Sequence, residues 1–479
     1  MALQALQAVA GIGIAYRFGA TETTDAYLLA KSLPIGAYLI FDSLLYNALV
    51  PYHHEMARDR RMPPGFLVAL ISGVLIASGL AVLGPHALEW LAPGSSDKTL
   101  ELAGRLITVM SVGVALALPA SALKAWNAGR GRYVFAALDG FVMAGVLCFA
   151  ILATPGAWGI WPVALALPIA CGLMLLVQGI GAIVGNDERR AKLTGVQQQA
   201  GRQVFLAIAA FNVFHQVNML VVNAFMSGVS EGAIAWFNFS YNIAQIPVSI
   251  VDLVVMSTFF PFAAALNRTG ERTTFAKAYV SVSRLLLMVL IPGSVWLLLT
   301  RYDMVQIVFE RGLFDRAATE GTALCLAGAG LAICPWAFES FGYRCLFALR
   351  RHGWYAGIIG TRTVVNVALC ILLGSRYGAA GVVTAFCVSY WVGALMTARA
   401  VSLELKEHET RLVPAAFLFQ TIGATVLVII VHAGVSLAIS APVWRVMASG
   451  LACALAVVAL QAGMGNARRA RTTAAERTV

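Results

Sequence analysis

Long apolar runs recur along the whole chain and restrict its fold more than any other feature of the sequence. A helix that crosses a bilayer needs about 20 mostly apolar residues, and fourteen such runs occur in the 479 residues. Only 12% of the residues are charged, against roughly 25% in soluble proteins. The sequence therefore predicts an all-α integral membrane protein and excludes a cytosolic enzyme. The predicted spans are 2–16, 25–52, 64–92, 100–125, 132–154, 157–184, 203–227, 230–264, 275–300, 317–347, 353–375, 378–401, 412–438 and 442–464.

Lys and Arg are unevenly divided between the predicted connections. If the N-terminus lies in the cytoplasm, the inward connections contain 22 of these cations and the outward connections contain 8. Because cytoplasmic loops of membrane proteins carry an excess of Lys and Arg, we expect both termini to be cytoplasmic. The same distribution accounts for the net charge of +11 without a nucleic-acid partner.

The sequence contains an internal repeat. An Asp nine residues before a Pro occurs in the second span, at Asp42, and again in the eighth, at Asp252; the shift is 210 residues. Further along, a shift of 220 brings Lys124 onto Arg344. The repeat divides the chain into two halves of six helices each. Because six is an even number, both halves begin on the same side of the membrane, so the repeats are parallel. We expect two pseudo-symmetric lobes around a central cleft.

The repeat also sets the predicted domain limits. The N-lobe is residues 1–195 and the C-lobe is residues 196–410. Two additional helices follow in residues 411–464, and a basic cytoplasmic tail comprises residues 465–479.

Few ionisable side chains lie inside the spans, and each needs a partner or a wet cavity. Lys31 could either snorkel to the outer headgroups or line the cleft. Arg284 and Arg362 lie about two turns from cytoplasmic helix ends, which favours snorkelling. Glu339 and Arg344 are five residues apart, too far round one helix for an ideal pair, and could share a partner across the cleft.

The eighth span is the most polar. Asn238, Tyr241, Asn242 and Gln245 lie within about two turns of helix, with aromatic residues between them. Uncharged hydrogen-bonding groups at this density favour a wall that binds carbohydrate. The alternative interpretation is that the amides hold helices together, since such contacts stabilise membrane helix pairs by about 0.6 kcal/mol each.

Motifs of enzymatic catalysis are absent from the sequence. It has no Walker A loop and no GxSxG or HExxH motif. The eight Cys lie mostly within apolar spans, without metal-ligand spacing, so they are interpreted as packing residues. We expect a transporter rather than an enzyme, with no metal and no cofactor.

Several motifs are similar to those of a known family. Residues 18–20 (Phe-Gly-Ala), 25–27 (Asp-Ala-Tyr) and 33–34 (Leu-Pro) resemble the first signature of the MurJ/MviN lipid II flippases. Residues 308–314 (Val-Phe-Glu-Arg-Gly-Leu-Phe) and 347–350 (Phe-Ala-Leu-Arg) resemble signatures of the second half. The family belongs to the multidrug/oligosaccharidyl-lipid/polysaccharide (MOP) exporter superfamily, and the likeness covers nearly the whole chain.

The resemblance implies a flippase of the bacterial inner membrane. Its substrate would be a polyprenyl-pyrophosphate-linked saccharide, and envelope glycan synthases are possible partners. This chain departs from the family where an Arg-Asp pair in the first span, a double Arg in the second and an Asp-Arg-x-x-x-Glu set in the eighth are usual. Without those arginines, a related exopolysaccharide unit competes with lipid II as the substrate.

The hypothesis assigns roles to individual residues. The anion would be balanced by Lys31, Lys124 and Arg344, and the sugars would be held by Asn238, Tyr241, Asn242 and Gln245. Structural or gating roles are expected for Asp25, Asp42, Asp252 and Glu339. Two alternatives stay open. An ion-coupled drug antiporter of the same superfamily would need an acid in the first span, which residues 2–16 lack. A non-transporting scaffold for envelope synthesis would tolerate changes in the cleft.

Overall fold

The computed structural model describes residues 2–55, 65–184, 196–405 and 415–455. Nearly all of these residues are helical. The helices are α1 Ala2–Phe18, α2 Glu22–Glu55, α3 Phe66–Leu91, α4 Asp97–Gly129, α5 Tyr133–Ala137, α6 Asp139–Leu152, α7 Trp161–Val184, α8 Val196–Ser227, α9 Ala233–Val254, α10 Phe260–Thr269, α11 Arg272–Phe309, α12 Arg316–Ala348, α13 His352–Leu369, α14 Ser375–Glu404, α15 Ala415–Ala438 and α16 Pro442–Leu455.

Each predicted span corresponds to helix in the structure. Within the described ranges, ten helical stretches are long and apolar enough to cross a bilayer. One of them, His352–Glu404, is 53 residues long. It contains two crossings, because it leaves helical geometry at Gly378 and its two arms, α13 and α14, pack against each other. The shorter helices α1, α6 and α16 occupy the places of the remaining predicted spans.

The two halves of the chain repeat the same packing. In the N-lobe, α4 packs against α2, α3 and α7, and α1 packs against α6. In the C-lobe, α12 packs against α9, α11 and α14, and α8 packs against α13. Each contact of the first set has its counterpart in the second, which is the pseudo-symmetric two-lobe architecture that the repeat predicts. The additional helix α15 packs on α11.

The central helices α4 and α12 are buried along most of their length. Both are rich in small residues, which let membrane helices approach closely. In α12, Gly328 lies against Val383 of α14 so closely that an added Cβ would collide with it. The helices that carry the paired charges described below are therefore held on several sides.

The eight Cys are free and buried, in agreement with a packing role. The predicted basic tail at 465–479 lies outside the described residues.

Candidate functional site

The N-lobe buries a cluster of charged side chains between α2, α4 and α6. Lys124 Nζ donates to Asp42 Oδ2 at 3.1 Å and lies 3.4 Å from Asp139 Oδ2. The Ser121 hydroxyl donates to Asp42 Oδ1 at 2.6 Å. The lysine side chain is 17% exposed, and the two carboxylates are 15% and 8% exposed. One cation is thus shared by two carboxylates.

Asp139 is a partner that the sequence analysis did not identify. It is the first residue of α6, where an acidic residue is also expected simply to stabilise the start of a helix. Gln178 of α7 donates to Asp139 Oδ1 at 2.7 Å, and Asn127 of α4 donates to Gln178 Oε1 at 2.9 Å. These amides fix the carboxylate against α7.

The C-lobe contains the equivalent cluster between α9 and α12. Arg344 Nη1 donates to Asp252 Oδ1 at 2.9 Å. The Ser340 hydroxyl donates to the same carboxylate oxygen, and the Arg344 guanidinium lies 4.6 Å from the ring centre of Tyr343. The arginine side chain is 8% exposed and the aspartate 34%. Serine, cation and aspartate therefore repeat the arrangement of the N-lobe.

Glu339 and Arg362 form a separate ion pair between α12 and α13. The Nη1 to Oε2 distance is 3.1 Å, and the side chains are only 5% and 3% exposed. The guanidinium also lies 4.3 Å from the ring centre of Tyr390. The expectation that Arg362 snorkels is wrong, because its carboxylate partner holds it inside the C-lobe. Glu339 and Arg344 have different partners rather than a common one.

Lys31 differs from the other cations of the site. It lies four residues after Tyr27 on α2, about one helical turn further on, and its Nζ is 5.3 Å from the ring centre of Tyr27. Among the described residues, no carboxylate lies within ion-pair distance of it. A partly buried ammonium with only an aromatic partner is suited to receive an anion.

The polar residues of α9 divide into two groups. Asn238 donates to Asn223 Oδ1 of α8 at 3.2 Å and to the carbonyl of Ile234 at 2.8 Å. Tyr241 is buried and stacks on Trp336 at 5.1 Å between ring centres. These two side chains are thus engaged within the C-lobe.

Asn242 and Gln245, in contrast, are exposed. The Asn242 amide nitrogen lies 3.8 Å from where a Cβ on Gly11 of α1 would stand. It therefore faces the N-lobe across the space between the two halves.

The lobes contact each other closely at one end of the molecule. We call this contact the inter-lobe seam. It is formed by four turns, two from each lobe, at residues 18–22, 92–97, 227–233 and 309–316.

Asp25, three residues beyond the turn at 18–22, lies beside the inter-lobe seam and is only 5% exposed. Its carboxylate accepts hydrogen bonds from the backbone N–H groups of Gly232 and Ala235, both at 2.8 Å. It thereby caps the start of α9 from the opposite lobe, where unpaired N–H groups and the helix dipole favour an anion. Gly232 has φ 77° and lies against the carbonyl of Ala20, so a side chain there would force the lobes apart.

Two further hydrogen bonds close the inter-lobe seam. The Leu313 N–H donates to the Tyr16 carbonyl at 3.0 Å, and the Gly94 N–H donates to the Ser227 hydroxyl at 3.3 Å. Gly312, at φ 65°, presses on the Tyr16 carbonyl so closely that a Cβ would collide with it. Hydrogen bonds and close backbone contacts thus hold this end shut.

Glu22 and Glu231 face each other across the inter-lobe seam, one from each lobe. The Ser96 hydroxyl donates to Glu22 Oε1 at 2.6 Å. A hydrogen bond between Glu22 and Glu231, together with the negative charge of Glu22, raises the pKa of Glu231, while the nearby Lys98 opposes this shift. The hydrogen bonds with Ser96 and Glu231 lower the pKa of Glu22. The two acids therefore share a proton more readily than isolated carboxyls do.

Toward the opposite end, a cleft of about 350 Å³ separates α1 from α9. We call it the α1–α9 cleft. Asp252 belongs to its lining, so the Asp252–Arg344 pair can be reached from it. It is lined by Leu3, Gln4, Ser249, Asp252, Leu253 and Met256.

The geometry is that of a carrier. Two lobes are joined at one end and part toward the other, where Asp252 lines the cleft between them and Asn242 faces the opposite lobe. In the part of the chain that the structure describes, no three His, Cys, Asp or Glu side chains are grouped to hold a metal ion.

Comparisons with known proteins agree with this geometry. The family model described as "Lipid II flippase MurJ" matches residues 14–453. A relative from Rhizobium meliloti (strain 1021), described as a "Probable lipid II flippase MurJ", is 25% identical over an alignment of 416 residues that covers 80% of this chain and 75% of the relative.

Solved structures show the same fold. A lipid II flippase MurJ in an inward closed conformation superposes with a TM-score of 0.77 at 17% identity and covers 96% of both chains. An inward-facing multidrug resistance MATE family transporter of the MOP superfamily gives 0.67 at 15% identity, over 85% of this chain and 95% of that one.

Proposed function

The chain belongs to the MurJ family of lipid II flippases, and we propose that it moves a polyprenyl-pyrophosphate-linked saccharide across the bacterial inner membrane by alternating access. The substrate is lipid II or a related exopolysaccharide unit. The observation that carries this proposal is the combination of a closed inter-lobe seam at one end and an open α1–α9 cleft toward the other. A carrier at rest with one gate shut has this form.

The orientation follows from the loop charges. The side with 22 of the Lys and Arg residues is assigned to the cytoplasm by the positive-inside rule, which puts both termini inside and the inter-lobe seam outside. The headgroup then enters from the cytoplasm through the α1–α9 cleft while its polyprenyl chain stays in lipid. Opening of the inter-lobe seam releases it at the outer leaflet.

The charged headgroup explains why the route must be polar. Transfer of an unpaired anion into a hydrocarbon-like medium costs tens of kcal/mol on Born grounds. An inside-negative potential favours outward movement of anions by about 2.3 kcal/mol per charge per 100 mV. The potential can therefore drive the step only once the protein has removed most of the desolvation cost.

We assign binding of the pyrophosphate to Lys31, because it alone of the three proposed cations has no carboxylate partner among the described residues. Lys124 and Arg344 are balanced by aspartates. They would contribute by leaving Asp42 and Asp252 when the headgroup arrives. Those two aspartates keep Lys124 and Arg344 ordered in the empty carrier, and Glu339 does the same for Arg362.

We assign the saccharide to the exposed amides Asn242 and Gln245, with Asn238 and Tyr241 forming the wall behind them. Amides bind sugar hydroxyls as both donors and acceptors, and Tyr241 stacked on Trp336 gives that wall a rigid aromatic surface. Asp25 is assigned to the gate, since its two hydrogen bonds join the lobes.

Reconstitution into liposomes tests the proposal. Purified protein is incorporated with lipid II in one preparation and with a polyprenyl-linked exopolysaccharide unit in another, and the fraction of labelled lipid that reaches the opposite leaflet is measured. Protein-dependent movement of either lipid supports the flippase, and the faster one is the substrate. Movement of neither, in vesicles that contain folded protein, would contradict it. Envelope glycan synthases are proposed partners, testable by co-purification.

A further inference from the structure

The turn that follows α12 contains the one described non-glycine residue with a positive φ, Arg350 at 59°. The turn ends the helix with two capping bonds: Arg351 N–H to the Leu346 carbonyl at 2.8 Å and Arg350 N–H to the Phe347 carbonyl at 3.0 Å. For the turn to form, Arg350 must take the left-handed backbone conformation. Glycine adopts this conformation without strain, whereas a residue with a side chain does not.

The N-lobe builds the same turn with glycine. There Arg132 N–H bonds to the Asn127 carbonyl at 2.8 Å, Gly131 N–H bonds to the Ala128 carbonyl at 3.0 Å, and Gly131 has φ 81°. The equivalent position thus holds Gly131 in one lobe and Arg350 in the other. A strained backbone at a position that its own repeat fills with glycine indicates that the arginine side chain has a use there.

The chain next enters α13, whose first turn offers a site for an anion. Arg351 precedes the helix and its side chain does not cap it, so N–H groups at the start of α13 remain available. His352 is only 6% exposed, and its Nδ1 has no hydrogen-bond partner among the described residues. His352 also belongs to the lining of an open groove.

The groove has a volume of about 780 Å³ and runs along α13 between α8 and α14. Its wall has one polar end, formed by Arg350, Arg351 and His352, and then becomes apolar. Leu206 and Trp354 in this wall are 55% and 46% exposed. A Cβ added at Gly353 or Gly357 meets nothing within 4 Å, so the two glycines leave a trough along the helix surface.

The charges at the polar end favour an anion. Arg350 also lines a neighbouring cavity of about 600 Å³ together with Arg268. Among the described residues, the acidic group in contact with this wall is Glu404 of α14, which accepts from Arg351 Nε at 2.9 Å and from the Trp354 indole at 3.2 Å. The linings of the groove and of the cavity contain Arg268, Arg350 and Arg351 and, in the described part of the chain, no carboxylate.

We propose that this groove is a binding site for an anionic phospholipid, with the phosphodiester on Arg350, the first turn of α13 and His352, and an acyl chain in the trough over Gly353 and Gly357. A soluble anion would use the polar end alone. Because the groove continues as an apolar trough, it fits a ligand that has an acyl chain as well as an anionic headgroup. Basic pockets between helices at the cytoplasmic side commonly bind such lipids. With the orientation proposed above, the lipid belongs to the inner leaflet.

Native mass spectrometry of the detergent-solubilised full chain with phosphatidylglycerol tests the site. We expect wild-type protein to bind phosphatidylglycerol about tenfold more tightly than phosphatidylcholine. Arg350→Gly should lower the phosphatidylglycerol affinity about tenfold, while its thermal unfolding midpoint without lipid stays equal or rises because the left-handed turn is relieved. Gly357→Leu should fill the trough and weaken both lipids. Arg316→Ala, a change at an arginine that is 87% exposed, is the matched control.

Three results would overturn the proposal. The first is unchanged phosphatidylglycerol binding in both Arg350→Gly and Gly357→Leu. The second is equal loss in Arg316→Ala, which would mean that only net charge matters. The third is full competition by inorganic phosphate at the concentration of the lipid, which would assign the polar end to a soluble anion. Flipping of lipid-linked saccharide is measured separately, so failure of this site and failure of the flippase proposal are distinguishable.

Discussion

Lys124 and Arg344 occupy equivalent places in the two lobes, and each is bound to the aspartate of the lobe's second helix. Lys124 on α4 binds Asp42 at 3.1 Å, and Arg344 on α12 binds Asp252 at 2.9 Å. The two pairs are related by the internal repeat, yet they differ in their surroundings. The lysine has a second carboxylate, Asp139, at 3.4 Å, whereas the arginine has one carboxylate partner among the described residues.

This difference predicts unequal effects of removing the two aspartates. Asp252→Asn leaves the Arg344 charge buried without a carboxylate, which we expect to cost about 2 kcal/mol, since breaking a buried pair costs roughly 3–5 kcal/mol and Asp252 is partly solvated. Asp42→Asn should cost about 1 kcal/mol or less, because Asp139 still balances Lys124. Thermal unfolding of both variants in detergent measures the difference. Equal losses would show that Asp139 does not support Lys124.

The Glu339–Arg362 pair predicts a larger loss of stability. Both side chains are almost fully buried, so Glu339→Gln should destabilise the protein by about 3–5 kcal/mol. The double variant Glu339→Leu/Arg362→Met removes both charges and should recover most of this loss. If the double variant is less stable than Glu339→Gln, the pair is not what stabilises the α12–α13 contact.

We expect removal of the Lys31 charge to reduce transport without destabilising the fold. A charge-assisted hydrogen bond contributes about 1.5–3 kcal/mol, so Lys31→Ala should slow lipid flipping at least tenfold while Lys31→Arg keeps most of it. The unfolding midpoint should not fall in either variant. Arg105→Ala, at a side chain that is 66% exposed, is the matched control. Normal flipping by Lys31→Ala would remove this residue from the anion route.

The acids of the inter-lobe seam predict a dependence of gating on external pH. In the closed form the pKa of Glu231 is raised by its hydrogen bond with Glu22 and by the negative charge of Glu22, while the pKa of Glu22 is lowered by its hydrogen bonds with Ser96 and Glu231. The closed form therefore binds more protons than the open form above the ordinary glutamate pKa of 4.5. The extra stability of the closed inter-lobe seam is greatest near that pH and is lost as pH rises through the raised pKa of Glu231.

Spin labels at cysteines placed at Asp97 and Glu320 measure the gate directly. The share of long distances should increase from pH 4 to pH 7, and Glu231→Gln should remove that increase. A distance distribution that does not change with pH in the wild-type protein contradicts the shared proton.

Most of the fold could be predicted from the sequence because a membrane span is recognisable from its local amino-acid composition. Fourteen apolar runs and the spacing of Asp42 and Asp252 are enough to predict two lobes. Ion-pair partners depend on how neighbouring helices are rotated against each other, which composition does not record. Arg362 illustrates this: its distance from the helix end suggested snorkelling, but its side chain turns inward to Glu339.

The contacts of the candidate site were harder to foresee for the same reason. The polarity of α9 can be read from the sequence. Which way each side chain points cannot be read from it: Tyr241 stacks on Trp336 in the core, while Asn242 faces α1. Asp25 was recognised through a motif, and its capping of α9 spans 207 residues of chain. A local sequence pattern cannot identify a hydrogen-bond partner so distant in the chain.

A reversible lock across the inter-lobe seam tests the central claim most directly. Cysteines in place of Glu22 and Glu231 are joined by oxidation in liposomes that contain the lipid-linked saccharide that the wild-type protein moves, and flipping is measured before and after reduction. Alternating access predicts that flipping stops in the cross-linked double variant, returns when the disulfide is reduced, and continues throughout in each single variant. Undiminished flipping by the fully cross-linked protein would contradict the account.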